Sequence, residues 1–412
     1  MTPDQPSTAT SSRIENEPPH SRTPALIVRI SAIGDTLIAA RTQGQLYSRG
    51  YTPVLVTHKN NSTLLNCMPL LQGACLISDH GPEFLWRQEN SEKLDQVSEN
   101  DFLSYLKATL QKSDPRKNQN DLQLSALDLQ NTARSVRAIR ELEPRFAAAG
   151  LKIEKRKVAK LSFWRLLLVF LSFFARSQRP GRKIPAWLHR RLKPVHQLQK
   201  ELVQTLPVVP MYSQPNPSDV LIAPPQTNAH NLQGHVVFLV GASLRLKSWP
   251  KEHYRALQNM IIEHTAFSVV LCGGPEDVRV GEYLAFPEHE RIINKIGKTT
   301  LAETLSLIRT AKYVVTGDSF ASHAADLLGT PASVMFGSTH PLLGFAPQGA
   351  HVSVHHAELA CSPCSRHGQG ECRFKNMRCL TSIKPEEVFS KIEQISKTAG
   401  QRADSLRQSS DS

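Results

Sequence analysis

From Val236 to Phe336, short apolar runs alternate with stretches of helical length, and this alternation constrains the chain more than any other feature. Val236 to Val240, Phe267 to Cys272, Tyr313 to Thr316 and Ala332 to Phe336 read as buried strands. Pro250 to Glu263 (with Pro at its first position), Leu301 to Thr310 and Ala321 to Leu328 read as helices. Strands separated by helices are joined by right-handed crossovers, so the expectation is an α/β domain on a parallel sheet.

The same order appears near the start of the chain. Ala25 to Ile30 is a buried strand, Ser31-Ala-Ile-Gly-Asp35 a loop leading into a helix through Tyr47, and Pro53 to Thr57 the next strand. Between the two units, Leu206 to Pro225 is Pro-rich and breaks all periodicity, as a linker does. With 412 residues the chain exceeds what one core usually holds. The expected organisation is an N-terminal α/β domain over 24–205, a linker over 206–233 and a C-terminal α/β domain over 234–398. Residues 1–23 lack an apolar stretch for export, and like 399–412 they read as a disordered tail. Residues 87–121 read as a surface insertion with one helix near Phe102 to Leu110. Two such domains leave a cleft between them, and ligands bind beyond the strand C-termini.

The charge is localised. Residues 152–193 carry thirteen Lys or Arg against one acid, Glu154, which accounts for nearly all of the net +13. Within them Leu161 to Phe174 is almost wholly apolar, yet its fourteen residues span only about 21 Å as a helix. A bilayer core needs about 30 Å, so a spanning helix is not expected. A wheel puts Ser162, Arg165, Ser172 and Arg176 on one narrow face and Phe, Trp and Leu on the other. Basic groups flank it: Lys155-Arg-Lys157 before, and Arg179, Arg182, Lys183, Arg190 and Arg191 after. This is the pattern of a helix lying in an anionic membrane surface; the alternative is a core helix of the N-terminal domain. No nucleic-acid-binding motif accompanies the charge, and no nucleic-acid partner is expected.

Three loops at strand C-termini could carry chemistry. Asp35 is placed either to face the cleft or to cap the helix that follows. The Gly241 to Pro250 loop offers Arg245 and Lys247, the point charges a diphosphate needs, though a solvated loop carries such pairs too. The Thr316-Gly-Asp-Ser-Phe-Ala-Ser-His323 stretch leads into a helix whose N-terminus favours phosphate. There Asp318 or Ser319 could equally serve as a cap, with His323 in the core. Cys361, Cys364, Cys372 and Cys379 follow a C-x2-C-x7-C-x6-C spacing. In a reducing compartment this is either a tetrahedral structural zinc site or a loop of free thiols.

Taken in order, these motifs resemble glycosyltransferase family nine, the ADP-heptose:lipopolysaccharide heptosyltransferases. The matching residues are Leu26 to Asp35, Asp128-Leu-Gln130 with Arg134-Ser135, Lys247-Ser-Trp-Pro250, Cys272-Gly-Gly-Pro275, Gly317-Asp-Ser319 with His323, and Leu328-Gly-Thr-Pro331. The resemblance runs over roughly residues 25 to 395. It implies the GT-B fold, two Rossmann-like domains facing a central cleft, and inverting transfer with no metal at the reaction centre. It implies Asp35 as general base on the acceptor hydroxyl, with Lys247 and Ser243 meeting charge on the leaving diphosphate. The backbone after Asp318 would hold the same phosphates, Asp318 the sugar, Glu276 the ribose, and Thr299 to Leu301 the base. The implied partners are a nucleotide-sugar donor and a lipid-linked saccharide acceptor at the inner face of a bacterial inner membrane. Another nucleotide sugar, or a fold retained without activity, are the competing readings. The family usually has Gly after the Asp-Ser pair; here Phe320 either narrows the space for a sugar or imposes a different backbone angle.

Overall fold

The structure is a computed structural model describing residues 22–88, 91–113, 122–159, 161–174, 178–181, 184–207, 221, 234–242 and 244–410. Nearly all of the expected N-terminal tail and linker, together with Arg176, Arg182, Lys183 and Ser243, lies outside the described residues.

The N-terminal half runs β1 (Thr23–Val28), α1 (Ile33–Tyr47), β2 (Tyr51–His58), α2 (Ser62–Leu65), β3 (Gly73–Ser78), β4 (Gly81–Trp86), β5 (Asp95–Val97), α3 (Glu99–Ser113), β6 (Leu122–Asp128), α4 (Ala133–Ala148) and β7 (Leu151–Lys157). Seven strands make one sheet in the order β5-β4-β3-β2-β1-β6-β7. From β3 to β7 it is parallel, as the βαβ pattern requires. Its other edge is not: only Asp79 and His80 separate β3 from β4, and so short a link can join only antiparallel strands. Pairing of β5 on β4 is antiparallel too.

Residues 87–121 are therefore more than a surface insertion. Phe102, Leu103, Leu106 and Leu110 of α3 are buried, with the Phe102 ring edge-on to Trp86 at 5.5 Å. Their helical spacing gives α3 one apolar face, and that face closes the core over β1, β4 and β6. The basic segment also begins differently from expectation. Lys155, Arg156 and Lys157 belong to the edge strand β7, where Lys155 pairs with Glu143 at 2.6 Å and Arg156 with Glu154 at 2.6 Å. Charged side chains suit an edge strand because they oppose further pairing.

Three helices follow: α5 (Ser162–Phe173), α6 (Ala186–Arg191) and α7 (Val195–Gln204). The C-terminal half runs β8 (His235–Leu239), α8 (Lys251–His264), β9 (Ser268–Cys272), α9 (Val278–Ala285), β10 (Ile292–Asn294), α10 (Leu301–Thr310), β11 (Tyr313–Gly317), α11 (Phe320–Leu328), β12 (Ala332–Phe336), β13 (Val352–His356), α12 (Arg378–Thr381) and α13 (Pro385–Ser410). Its six strands are all parallel, in the order β10-β9-β8-β11-β12-β13. The expected strands and helices here match to within two residues. Pro250 caps α8 from outside rather than occupying its first position. Beyond residue 398 the chain continues as helix to Ser410, where a tail was expected. Gln, Arg, Ala and Leu extend a helix readily once its first turns are packed, as Val388 and Ile392 are.

The short aromatic helix α5 is not the core helix of the alternative expectation, since its aromatic face lies outside the core. Its narrow polar face points inward: Arg165, Leu168 and Ser172 are buried, while Phe163 is 66% exposed and Phe170 57%. Leu168 packs with Leu188, Leu192 and Leu343, and Phe345 joins the cluster, so the inner face seals onto a loop of the C-terminal half. Ser172 can be buried because its hydroxyl donates to the Leu168 carbonyl at 2.8 Å. No helix among the described residues is long and apolar enough to cross a membrane.

Candidate functional site

Both sheets reverse their strand order beside the first strand of each half, with β1 between β2 and β6, and β8 between β9 and β11. Loops leaving those strands diverge, and the gap between them is where open α/β sheets bind ligands. All the principal candidate residues lie at these two points.

On the N-terminal wall, β1 delivers the chain to Arg29 and then to the first turn of α1. The Arg29 guanidinium donates to the Leu129 carbonyl at 2.8 Å and pairs with the Asp35 carboxylate at 3.0 Å. Asp35 does not cap α1: the cap position is Ala32, with no side-chain bond to the helix. Burial acts to raise the Asp35 carboxyl, but the charge of the paired Arg29 outweighs it and holds it below its usual value. Asp128, Gln130 and Ser135 prove to be scaffolding. The Asp128 carboxylate accepts from the Gln130 and Asn131 amides and the Ser135 hydroxyl, and Gln130 accepts from the Ile30 amide at 3.0 Å.

On the C-terminal wall, Lys247 closes a short 3-10 turn after β8, and its Nζ lies 2.9 Å from the Asp318 carboxylate. Thr339 donates to the same Asp318 oxygen at 2.8 Å. Asp318 thus holds Lys247 in position, a role the motif alone does not reveal. A side chain at Gly317 would put its Cβ 2.4 Å from the Lys247 carbonyl oxygen, so only glycine lets the two loops lie together. Ser319 is the true cap of α11, accepting from the Ala321 amide at 3.3 Å.

Between the walls lies a cleft of about 750 Å³, within the range for a small-molecule site. Asp35, Lys247, Asp318, Ser319 and His323 line it, as do Glu276, Thr299 and Leu301 at the far end. Gly317 lies beneath the lining. Arg245 is exposed and does not line the cleft, contrary to the expectation that it holds the donor. His323 is half-buried rather than a core residue; burial lowers its pKa against the pull of Asp318, Asp35 and Asp326. Phe320 lines the cleft with its backbone against Gly34, where a Cβ would stand 3.4 Å from the Phe320 Cα. Its φ is not positive, so the chain accommodates Phe here without a left-handed angle.

Among the lining residues that escaped the sequence analysis are Arg366 and His367, both within the cysteine loop. Burial lowers the His367 pKa, as do Arg366 and Lys247, while Asp35 and Asp318 pull it up, so the ring faces both walls. Gly368, with φ of +90°, lies over the Lys247 methylenes; a Cβ there would come 2.8 Å from Lys247 Cγ. The only cue in the sequence was a basic pair beside glycine between the thiols.

Of the two readings of the cysteine cluster, the described residues show the loop of free thiols. All four are free and close enough to feel one another's charge, with burial pushing the Cys364 thiol up to about 11 and Cys379 up to about 12. Among the described residues, however, no three His, Cys, Asp or Glu side chains converge as a metal requires. The loop is instead braced by α5 and the chain after it. Arg373 donates to the Phe173 carbonyl. The Gln178 and Asn376 amides bond reciprocally at 2.9 and 2.8 Å. Gly181 donates to the Glu358 carbonyl at 2.9 Å, and Ala360 to the Arg179 carbonyl at 3.0 Å.

Comparison with known proteins is consistent with this geometry. Residues 195–376 match the model of glycosyltransferase family 9 (heptosyltransferase). A lipopolysaccharide heptosyltransferase 2 of Escherichia coli is 34% identical over 109 residues, 26% of this chain and 30% of that protein. A lipooligosaccharide heptosyltransferase 2 of Haemophilus ducreyi is 28% identical over 155 residues, 36% of this chain and 43% of that protein. The matched stretch thus spans less than half of each curated relative. Among solved structures, E. coli ADP-heptose lps heptosyltransferase II superposes with a TM-score of 0.52 at 17% identity, over 92% of this chain and 99% of that one. A family 9 glycosyl transferase from Veillonella parvula gives 0.56 at 13% identity, over 90% and 97%. These likenesses give the chain the GT-B fold.

Proposed function

We propose that this chain, which belongs to glycosyltransferase family 9, transfers a heptose or related sugar with inversion from a nucleotide diphosphate sugar, ADP-heptose in the first instance, to a lipid-anchored saccharide. The observation that carries the reading is the sharing of one cleft by a carboxylate from one half and a pinned lysine from the other. Asp35 takes the proton of the acceptor hydroxyl as its oxygen attacks the sugar C1 from the face opposite the leaving group. The C1–O bond breaks as the new one forms, and Lys247 meets the charge that moves onto the diphosphate. The first turn of α11, capped by Ser319, adds its amides at the same end. Every change of charge is met by a side chain or an amide, so the scheme calls for no cofactor. A carboxyl held low is ionised at neutral pH and ready to accept; it is a weak base, suited to a transfer in which proton movement accompanies bond breaking.

Replacing Asp35 by Ala should lower kcat about 100- to 10,000-fold, the range for losing a general base, while ADP binding survives within about twofold. Loss of ADP binding along with activity would sink the base assignment. Phe320 favours a second reading, a different nucleotide sugar, because its side chain takes room beside the donor end. Tighter binding of a UDP-sugar than of ADP-heptose in calorimetry would decide for it, and no nucleotide binding at all would leave only a scaffold.

The acceptor's lipid accounts for the outer face of α5. Phe163, Leu166, Phe170, Phe173 and Phe174 stand exposed beside Trp187 and the Arg190 and Arg191 pair. An apolar face rimmed by cations fits the surface of an anionic leaflet, which in this reading is the inner face of the inner membrane.

A further inference from the structure

Arg165 is the only charged residue on the inward face of α5, and it is only 8% exposed. Its Nε and Nη2 are buried and make no hydrogen bond. The guanidinium lies over the Phe345 ring at 5.3 Å, and Nη2 would stand 3.0 Å from a Cβ at Gly344. Phe345 lines the cleft, and so does Arg366, whose own Nε is likewise buried without a partner. Arg29 stands near, but its charge is matched by Asp35. Burial, then repulsion from Arg366 and Arg29, lowers the Arg165 guanidinium to about 10, which leaves it fully charged at neutral pH. Guanidinium groups removed from water are normally paired, because an unpaired buried charge is costly. Arg366 on the cleft wall and Arg165 behind the Phe345 ring, both with unmet donors, make a receptor for an oxyanion, which a planar fork of N–H groups binds in bidentate fashion.

We propose that Arg165 and Arg366 bind a phosphate or carboxylate carried by the acceptor, and so choose acceptors by an anionic group near the hydroxyl that is glycosylated. This rests on the transfer reading above for the word acceptor, but not for the anion site itself. Position favours the acceptor over the donor. Arg165 comes from the helix whose outer face meets the lipid, on the side of Asp35, whereas the donor's diphosphate is met by Lys247 and the start of α11.

The test uses the full chain saturated with ADP, so that the diphosphate position is filled, and titrated with inorganic phosphate by thermal shift. Phosphate should raise the melting temperature of the wild type, and the rise should vanish in Arg165→Met and Arg366→Ala. Met keeps the bulk of the buried side chain, and Arg366 lies on a loop, so one variant remains informative if the other misfolds. A phosphate response equal in wild type and variants, or a tenfold loss of ADP affinity in Arg366→Ala, overturns the proposal; the latter puts Arg366 on the donor. Steady-state kinetics then identify the anion's source. KM for an acceptor carrying the oxyanion should rise about tenfold or more in either variant, the scale of a lost charge-assisted hydrogen bond, with no rise for the same saccharide lacking it. An equal rise for both saccharides counts against an acceptor anion. If no saccharide is glycosylated by the wild type, the transfer reading falls while the phosphate titration still decides the arginine pair.

Discussion

At the scale of single residues, the Arg29 and Asp35 pair sets the pH behaviour. In the proposed transfer Asp35 works ionised, and Arg29 holds its carboxyl below the ordinary value, so activity should fall only when pH drops through that lowered pKa. Replacing Arg29 by Met removes the largest lowering influence and leaves the raising effect of burial less opposed. The acid limb of the kcat/KM profile should therefore move to higher pH, with kcat at pH 8 less affected than at pH 6. An unmoved limb would show that another group controls it. Asp35 and Lys247 were legible in the sequence because each ends a strand in a short, locally coded loop. Arg165, Arg366 and His367 were not, because nothing local relates residue 165 to residue 366; only the packing of α5 on the 341–345 loop does. The contact of Asp318 with Lys247 was not legible either, because Thr339, which bonds the same carboxylate oxygen, lies twenty-one positions on.

At the scale of elements, the strands and helices of the C-terminal half followed from periodicity because each is buried in the way its pattern demands. In α5 periodicity gave the helix and its two faces, but not which one turns inward. An amphipathic helix normally buries its apolar side, and here the aromatic side is exposed because the inner side is claimed by Leu343, Phe345 and the cleft. Replacing both Phe170 and Phe173 by Ser should abolish sedimentation with vesicles rich in anionic phospholipid while changing thermal stability little, since both rings are already in solvent. Undiminished sedimentation would move the membrane contact elsewhere. The antiparallel edge of the N-terminal sheet is hidden for a simpler reason: its two-residue link, Asp79-His80, lacks the Asn-Gly or Asp-Gly signature of a tight hairpin.

At the scale of the whole molecule, two sheets of similar winding meet through α1 and α11. Arg41 of α1 pairs with the buried Asp326 of α11, which also accepts from the Gln348 and Gly349 amides at 3.0 and 2.8 Å. The same two helices bring Gly34 against Phe320, so the closeness of Asp35 to the donor end depends on this contact. Arg41→Ala should lower stability by about 1–3 kcal/mol, because a buried carboxylate loses a charged partner. It should also widen the cleft, read as a larger radius of gyration by solution scattering. A destabilised variant of unchanged radius would confine Arg41 to a stabilising role.

The hydrogen bonds that lash residues 173–181 to the loop at 358–376 carry a consequence for how such a chain can vary. The two stretches lie almost two hundred positions apart, on opposite sides of the Pro-rich linker, yet they behave as one part. A graft that exchanges the aromatic helix for that of a relative, leaving the cysteine loop behind, breaks the mounting of Arg366, His367 and Gly368 above the lysine. Exchanged together, the two segments keep the bonds that join them.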